Sequence, residues 1–299
     1  MPQQFTNARG ISLMVAAMLL FALTDLIIKL ALATMAQPQI VFVLGLGGTV
    51  TFFGLAYLRG ATLFPKEAAH PAVLTRNLAE ILGTCMMIVS LATTPLTTVG
   101  AILQASPLVV MAGAALFLNE PVGWRRWCAA SVGFLGVLVV LQPWNDGITA
   151  GASLAVLAML CLSARDLLNR QAPRALPTLV LAAHGLASIL TVGVVWSLAG
   201  PGALLPPEPP WLLICALVAF GTGAYFTITA SVRAAPVSVV APFRYTRLPF
   251  LGALGILFLG EELTWTLIIG AALIIGSGLY VLARERRATA TLHTPPSAP

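Results

Sequence analysis

The chain has 299 residues, of which 59% are hydrophobic and only 9% charged, with a mean hydropathy of +0.94. A soluble domain of this length cannot bury so much apolar surface, which excludes a soluble fold and points to an integral membrane protein. The net charge of +6 and the pI of about 9.6 are scattered over short loops, so they form no nucleic-acid patch.

Apolar runs of about twenty residues, the length that crosses a hydrocarbon core of roughly 30 Å as a helix, recur along the whole sequence. They predict spans at 11 to 35, 38 to 58, 74 to 94, 97 to 118, 124 to 141, 150 to 170, 177 to 198, 211 to 232, 237 to 259 and 263 to 284. The expected fold is all-α and integral to the membrane, with ten transmembrane helices. Residues 1–10 and 285–299 are left as tails. Arg9 precedes the first run, but that run holds Asp25 and Lys29 and has no small-residue cleavage site, so it reads as a first helix and not a removed signal.

Ionisable groups inside such helices are costly, at least about 2.5 kcal/mol near the bilayer centre, and so are paired, snorkelling or functional. In helix 1, Asp25 and Lys29 stand one turn apart in the acid-to-base order of an intrahelical pair, and Asp166 and Arg170 repeat this in helix 6. Arg165 beside Asp166 has no obvious role. Arg76 and Glu80 open helix 3 with the same spacing. Asn77, Glu80 and Thr84 share one face, with Glu80 as the cavity residue and Arg76 as an interface anchor. In helix 4, Gln104 and Ser106 precede Pro107. His184 is a lone imidazole in helix 7, either a satisfied core residue or a proton relay. Tyr225 in helix 8 and Tyr245 in helix 9 are placed to stack on an aromatic ligand or simply to pack.

Helix 9 contains "APFRYTRLPF", residues 241–250. Arg247 lies ten residues, or about 15 Å, beyond Val237. Arg244 is on the same face. Pro242 and Pro249 flank the pair and weaken local backbone bonding, as in the interrupted helices of transporter sites. The alternative is that both arginines snorkel or pair structurally.

Cys85, Cys128, Cys161 and Cys215 are isolated, with no metal or redox spacing. "GLGGT" lacks a following Lys-Ser/Thr and a preceding strand, so nucleotide binding is discarded. Neither a metal nor a cofactor is expected. Trp124, Trp144, Trp196, Trp211 and Trp265 fall near span ends, as interface belts do. Glycines at 45, 47, 48, 54, 133, 136, 270, 276 and 278 suit close helix contact.

Lys and Arg fall at alternate boundaries: Arg9; Arg59 and Lys66; Arg125 and Arg126; Arg170 and Arg174; Arg233; Arg284, Arg286 and Arg287. The intervening boundaries have none. The positive-inside rule therefore predicts a cytoplasmic location for both termini, in a cell (inner) membrane protein.

Shifting the chain by 141 residues aligns Ser12 with Ser153, Asp25 with Asp166, Pro95 with Pro236, Phe117 with Phe258, Glu120 with Glu261 and Trp124 with Trp265. Two five-helix repeats, 11–141 and 150–284, follow from this. Because five is odd, the second enters the membrane from the opposite side. Such inverted repeats build many secondary transporters, with solute held between the halves.

The pattern "SLATTPLTTVGAILQASPLVVMAGAALFLNEPVGW" and its partner "SVRAAPVSVVAPFRYTRLPFLGALGILFLGEELTW" resemble the duplicated module of the drug/metabolite transporter superfamily, in its ten-helix EamA-type branch. The likeness runs from about 10 to 284 and is nearest to aromatic amino acid exporters. It implies a basket of helices 1 to 4 and 6 to 9, with helices 5 and 10 outside. The implied activity is export of amino acids and related metabolites by alternating access. The alternative is a carrier of a vitamin or nucleoside-type solute, since "APFRYTRLPF" is also similar to relatives that carry riboflavin or adenosylmethionine. The expected binding residues are Arg244, Tyr245, Arg247, Asn77, Glu80, Gln104, Tyr225 and His184, and the expected hinges are Pro95, Pro107, Pro236, Pro242 and Pro249. The partners are a small-molecule solute and the lipid bilayer, and the chain is expected to act as a monomer. An integral membrane enzyme, the remaining class, would need a metal cluster or an activated nucleophile that the sequence does not display.

Overall fold

The computed structural model describes residues 2–117, 122–144, 148–173, 175–200, 203–235 and 237–292. They form helices α1 (Pro2–Ala31), α2 (Gln37–Leu58), α3 (Pro71–Thr93), α4 (Leu96–Leu103), α5 (Ser106–Phe117), α6 (Trp124–Leu141), α7 (Ala150–Gln171), α8 (Thr178–Ala199), α9 (Trp211–Ala234), α10 (Val237–Val240), α11 (Arg247–Leu259) and α12 (Trp265–Leu292). The protein is an all-helical, ten-span membrane protein. Eight of its spans are long and apolar enough to cross unaided, and Trp265–Val281 adds a shorter apolar one. The remaining crossing, predicted as one helix over 237 to 259, is divided into α10, a 3-10 turn at Ala241–Thr246 and α11. With ten crossings both termini share one face, here called the terminal face; the opposite one is the far face.

Local sequence explains the ends. Pro38 and Pro71 stand in the first turns of α2 and α3, where a missing N–H costs nothing. Thr149 Oγ1 caps α7 by accepting from Ala152 N at 3.2 Å. The first helix begins at Pro2, earlier than the expected residue 11, and its apolar span covers Ala8–Ala31. Along it Met14, Ala17, Met18, Ala22, Asp25 and Ile28 are buried at helical spacing. The i, i+4 row Leu74, Leu78 and Leu82 of α3 is exposed instead, as a lipid-facing stripe requires.

Helix pairing follows the repeat. The central contact is α2 against α8; α3 packs on α7 as α9 packs on α1, and α6 packs on α12 outside this group. The symmetry reaches single hydrogen bonds. Ser90 Oγ donates to Gly151 O at 2.7 Å, and 141 residues later Ser231 Oγ donates to Gly10 O at 2.6 Å. The α2–α8 crossing depends on two glycines. A Cβ at Gly45 would strike the Leu190 backbone, and one at Gly193 would strike that of Phe42.

The apolar core is uneven. One continuous cluster in the far-face half joins Leu26, Ile40, Ile88, Leu91, Leu96, Ile102, Leu217 and Leu251. The terminal-face half holds smaller separate clusters, such as Met14, Met18, Ala235 and Val240, or Ala56, Val73, Leu176 and Val180. Among the described residues the far half is therefore held by one continuous apolar core and the terminal-face half by separate smaller ones. Trp124, Trp144, Trp211 and Trp265 are exposed near helix ends, whereas Trp196 packs against the main core and is no belt residue.

Candidate functional site

Helices 4 and 9 break at matching positions of the repeat; the sequence predicts an interruption for helix 9 and, for helix 4, a hinge at Pro107. Between α4 and α5 the chain loosens at Gln104 and Ala105, where Ala105 N bonds to Ile102 O at 3.1 Å in 3-10 fashion. Pro107 follows in the first turn of α5 and supplies no N–H. In the second half the 3-10 turn Ala241–Thr246 contains Pro242, and Pro249 lies in the first turn of α11. Pro95 is the N-cap of α4. Pro236 lies outside the described residues.

The breaks deliver polar groups to a cluster shared by α1, α3, α7 and helix 9. Arg247 spans to Asp25 of α1, with Nη2 at 2.5 Å and Nε at 3.2 Å from Oδ2, and its guanidinium lies 5.3 Å from the Phe21 ring centroid. This corrects one expectation: Asp25 pairs with Arg247 and not with Lys29. Lys29 donates to Leu91 O at 2.6 Å and Thr94 O at 2.7 Å.

Across the cluster, Glu80 pairs with Arg76 one turn before it and with Arg165 of α7 at 3.2 Å. Arg165 also grips Asp166 Oδ1 at 2.8 Å. Asp166 therefore has Arg165 as a partner; the side chain of Arg170 lies outside the described residues. Arg76 is more than an interface anchor, because it is buried and donates to Asn169 Oδ1 at 3.0 Å and Asn77 Oδ1 at 2.9 Å. Gly185 of α8 leaves the room that Arg76 and Glu80 occupy. Tyr225 stands within electrostatic reach of Arg76, Glu80 and Arg165, with its ring edge-on to Phe52 at 4.5 Å.

Arg244 differs from all of these. Its side chain is exposed although it sits on a broken transmembrane helix near Asp166, Arg165 and Arg247. It makes no ion pair among the described residues. Its backbone carbonyl accepts from Gln104 Nε2 at 3.2 Å, which ties the two helix breaks together.

The structure does not bring every expected residue here. Tyr245 is buried at 5% exposure and turned against Gly278 of α12, away from the cluster. His184 has Nε2 2.9 Å from Leu63 O, with Phe53 and Phe64 edge-on to its ring. Ser106 shares a 2.8 Å hydrogen bond with buried Ser163. Arg165, left without a role by the sequence, is the bridge between α3 and α7; its signal was an arginine adjacent to an acid inside an apolar helix.

A duplicated helical module with matched breaks narrows the comparison with known proteins. The model of the EamA-like transporter family matches the chain twice, over residues 8–142 and 149–283. The chain belongs to the EamA-like transporter family. A riboflavin transporter of Rhizobium johnstonii is 30% identical to this transporter over 281 residues, covering 92% of this chain and 91% of the relative. An S-adenosylmethionine uptake transporter of Rickettsia felis is 24% identical, covering 76% and 77%. A pseudopaline exporter of Pseudomonas aeruginosa is also 24% identical, covering 89% and 93%. One solved crystal structure shares the fold, with a TM-score of 0.64 over 94% of this chain and 99% of that one at 19% identity.

Proposed function

We infer that this transporter is a carrier of a vitamin or nucleoside-type solute, of the riboflavin class, working by alternating access between its two repeats. The solute crosses chemically unchanged. The names of the similar proteins support this class ahead of the amino acid export implied by resemblance alone.

The observation that carries the reading is the unmatched charge at Arg244. Arg76, Arg165 and Arg247 have carboxylate partners among Asp25, Glu80 and Asp166, whereas Arg244 is a fourth guanidinium near Asp166, Arg165 and Arg247 that makes no ion pair among the described residues. A cavity with one surplus positive charge favours a solute that presents acceptor oxygens, which a guanidinium binds through two parallel N–H groups. The imide carbonyls of a flavin meet that demand. A sulfonium cation such as adenosylmethionine meets repulsion. Tyr225, backed by buried Phe52, adds aromatic surface beside the charges.

The terminal face is cytoplasmic on this reading, in a bacterial-type inner membrane, and one chain suffices as the carrier. Movement against a gradient draws on another gradient, by coupling through the same rocking of the halves.

Reconstitution of the purified chain in liposomes tests the class. Vesicles loaded in turn with riboflavin, adenosylmethionine and phenylalanine are assayed for exchange with labelled solute outside. Riboflavin exchange at least tenfold above the other two is expected. Exchange of phenylalanine without riboflavin would return the amino acid reading, and a chemically altered solute would make the protein an enzyme.

A further inference from the structure

The corner between α3 and α4, at the far face, is held from two sides by groups distant in sequence. Glu261, just past the left-handed Gly260 that ends α11, folds its carboxylate back over Gly255. It accepts from Leu96 N at 2.5 Å, Thr97 N at 3.0 Å and Thr97 Oγ1 at 2.7 Å. These are donors of the first turn of α4, which an isolated helix would leave unsatisfied. The cap is supplied by the other repeat, 164 residues away along the chain for Thr97. From below, Lys29 of α1 donates to Leu91 O and Thr94 O, the carbonyls at the end of α3. Lys29 and Glu261 also attract each other across the corner.

Each charge thus meets the backbone pole that suits it, carboxylate on N–H groups and ammonium on carbonyls. The Glu261 contacts join the two repeats, whereas those of Lys29 lie within the first, so separating the halves at this face breaks the cap and leaves the lysine on its carbonyls. The seal coincides with the continuous apolar core, in which Leu96 and Leu251 are fully buried. Nothing about catalysis or the helix count requires a carboxylate at 261. Its repeat counterpart, Glu120, lies outside the described residues.

We propose that Glu261, with Thr97 and Lys29, is the far-face gate of the carrier: a charge-assisted cap, made between the repeats, that closes the cavity on that side and is released whenever the solute is exposed there. The proposal is independent of the solute's identity. A cap of this kind biases the equilibrium between the two access states without touching solute, since it exists in only one of them.

Spin labels at Thr93→Cys and Glu262→Cys, both exposed at the far face, report the width of the gate in the full chain reconstituted in lipid without native cysteines. A control pair at Lys66→Cys and Ala175→Cys reports the terminal-face loops. The unmodified gate should give one short dominant distance. Glu261→Gln should raise the population of a second distance, longer by about 5 Å or more, at least fivefold, while the control pair shifts toward a shorter distance, as closure of the terminal face in the other access state requires. Thr97→Val, which removes one of the three donors, should shift the population the same way by a smaller factor and keeps the test valid if Glu261→Gln folds poorly. An unchanged far-face distance in either folded variant, or equal broadening at both pairs, would overturn the gate.

Discussion

Arg244 and Arg247 stand one turn apart, yet only Arg247 is committed to an acid. Asp25 is 5% exposed, and its carboxylate is satisfied by Arg247. Removing one partner leaves a charge in a place where solvent cannot compensate it. Asp25→Asn is expected to destabilise the fold by about 3 kcal/mol, read as a lower melting temperature in detergent. The double variant Asp25→Asn with Arg247→Met should recover part of that loss, because the orphaned charge is gone as well. A melting temperature unchanged by Asp25→Asn would show that the pair is not structural. Gln104 acts differently: its amide holds the Arg244 carbonyl, so Gln104→Ala should raise the KM for solute about fivefold with little change in melting temperature, and an unchanged KM would remove its positioning role. The residue types of this cluster were legible in the sequence, since any charge in a membrane span attracts notice. Their partners were not. Spacing rules see only the same helix, so Asp25 was matched with Lys29 and the true partner, 222 residues away, was hidden.

At the scale of elements, the sequence revealed nearly every span and the weakened backbone of helix 9, but not the interruption of helix 4. Hydropathy averages over a window and runs straight through Gln104 and Ala105, which are not strong breakers themselves; Pro107 acts two residues later. The repeat held the missing clue, because the proline-marked break in helix 9 has its counterpart in helix 4 at the same offset. Glycines were similarly visible but not ranked. Gly45 and Gly193 face backbone of the opposite helix, whereas Gly54 and Gly276 face open space. Substituting Ala at Gly45 or Gly193 is therefore expected to cost about 2 kcal/mol or more through overpacking. Ala at Gly54 or Gly276 should be neutral or stabilising by up to about 1 kcal/mol, since Ala is the better helix former. Thermal unfolding of the four variants checks this order; equal effects at all four would mean that the α2–α8 crossing is not set by glycine.

For the whole molecule, the inverted repeat was readable because Asp, Glu, Trp and Pro recur at one offset among residues that otherwise change freely. The uneven core was not readable, since both repeats carry the same pattern and only the packing of the described residues distinguishes the two faces. Topology rests on charge bias. An impermeant thiol reagent on intact cells should label a cysteine at Glu208, while one at Lys66 should be labelled only after the membrane is permeabilised; the reverse would invert the molecule. The most direct measurement of the central claim is riboflavin exchange in proteoliposomes by the parent, Arg244→Lys and Arg244→Ala, alongside their melting temperatures. Because Arg244 is exposed and makes no ion pair among the described residues, its loss should leave melting within about 2 °C, a shift worth about 1 kcal/mol for a chain this long. Exchange should fall at least tenfold for Lys, which lacks the paired donors, and to background for Ala. Riboflavin exchange at the parent rate in Arg244→Ala would contradict the account.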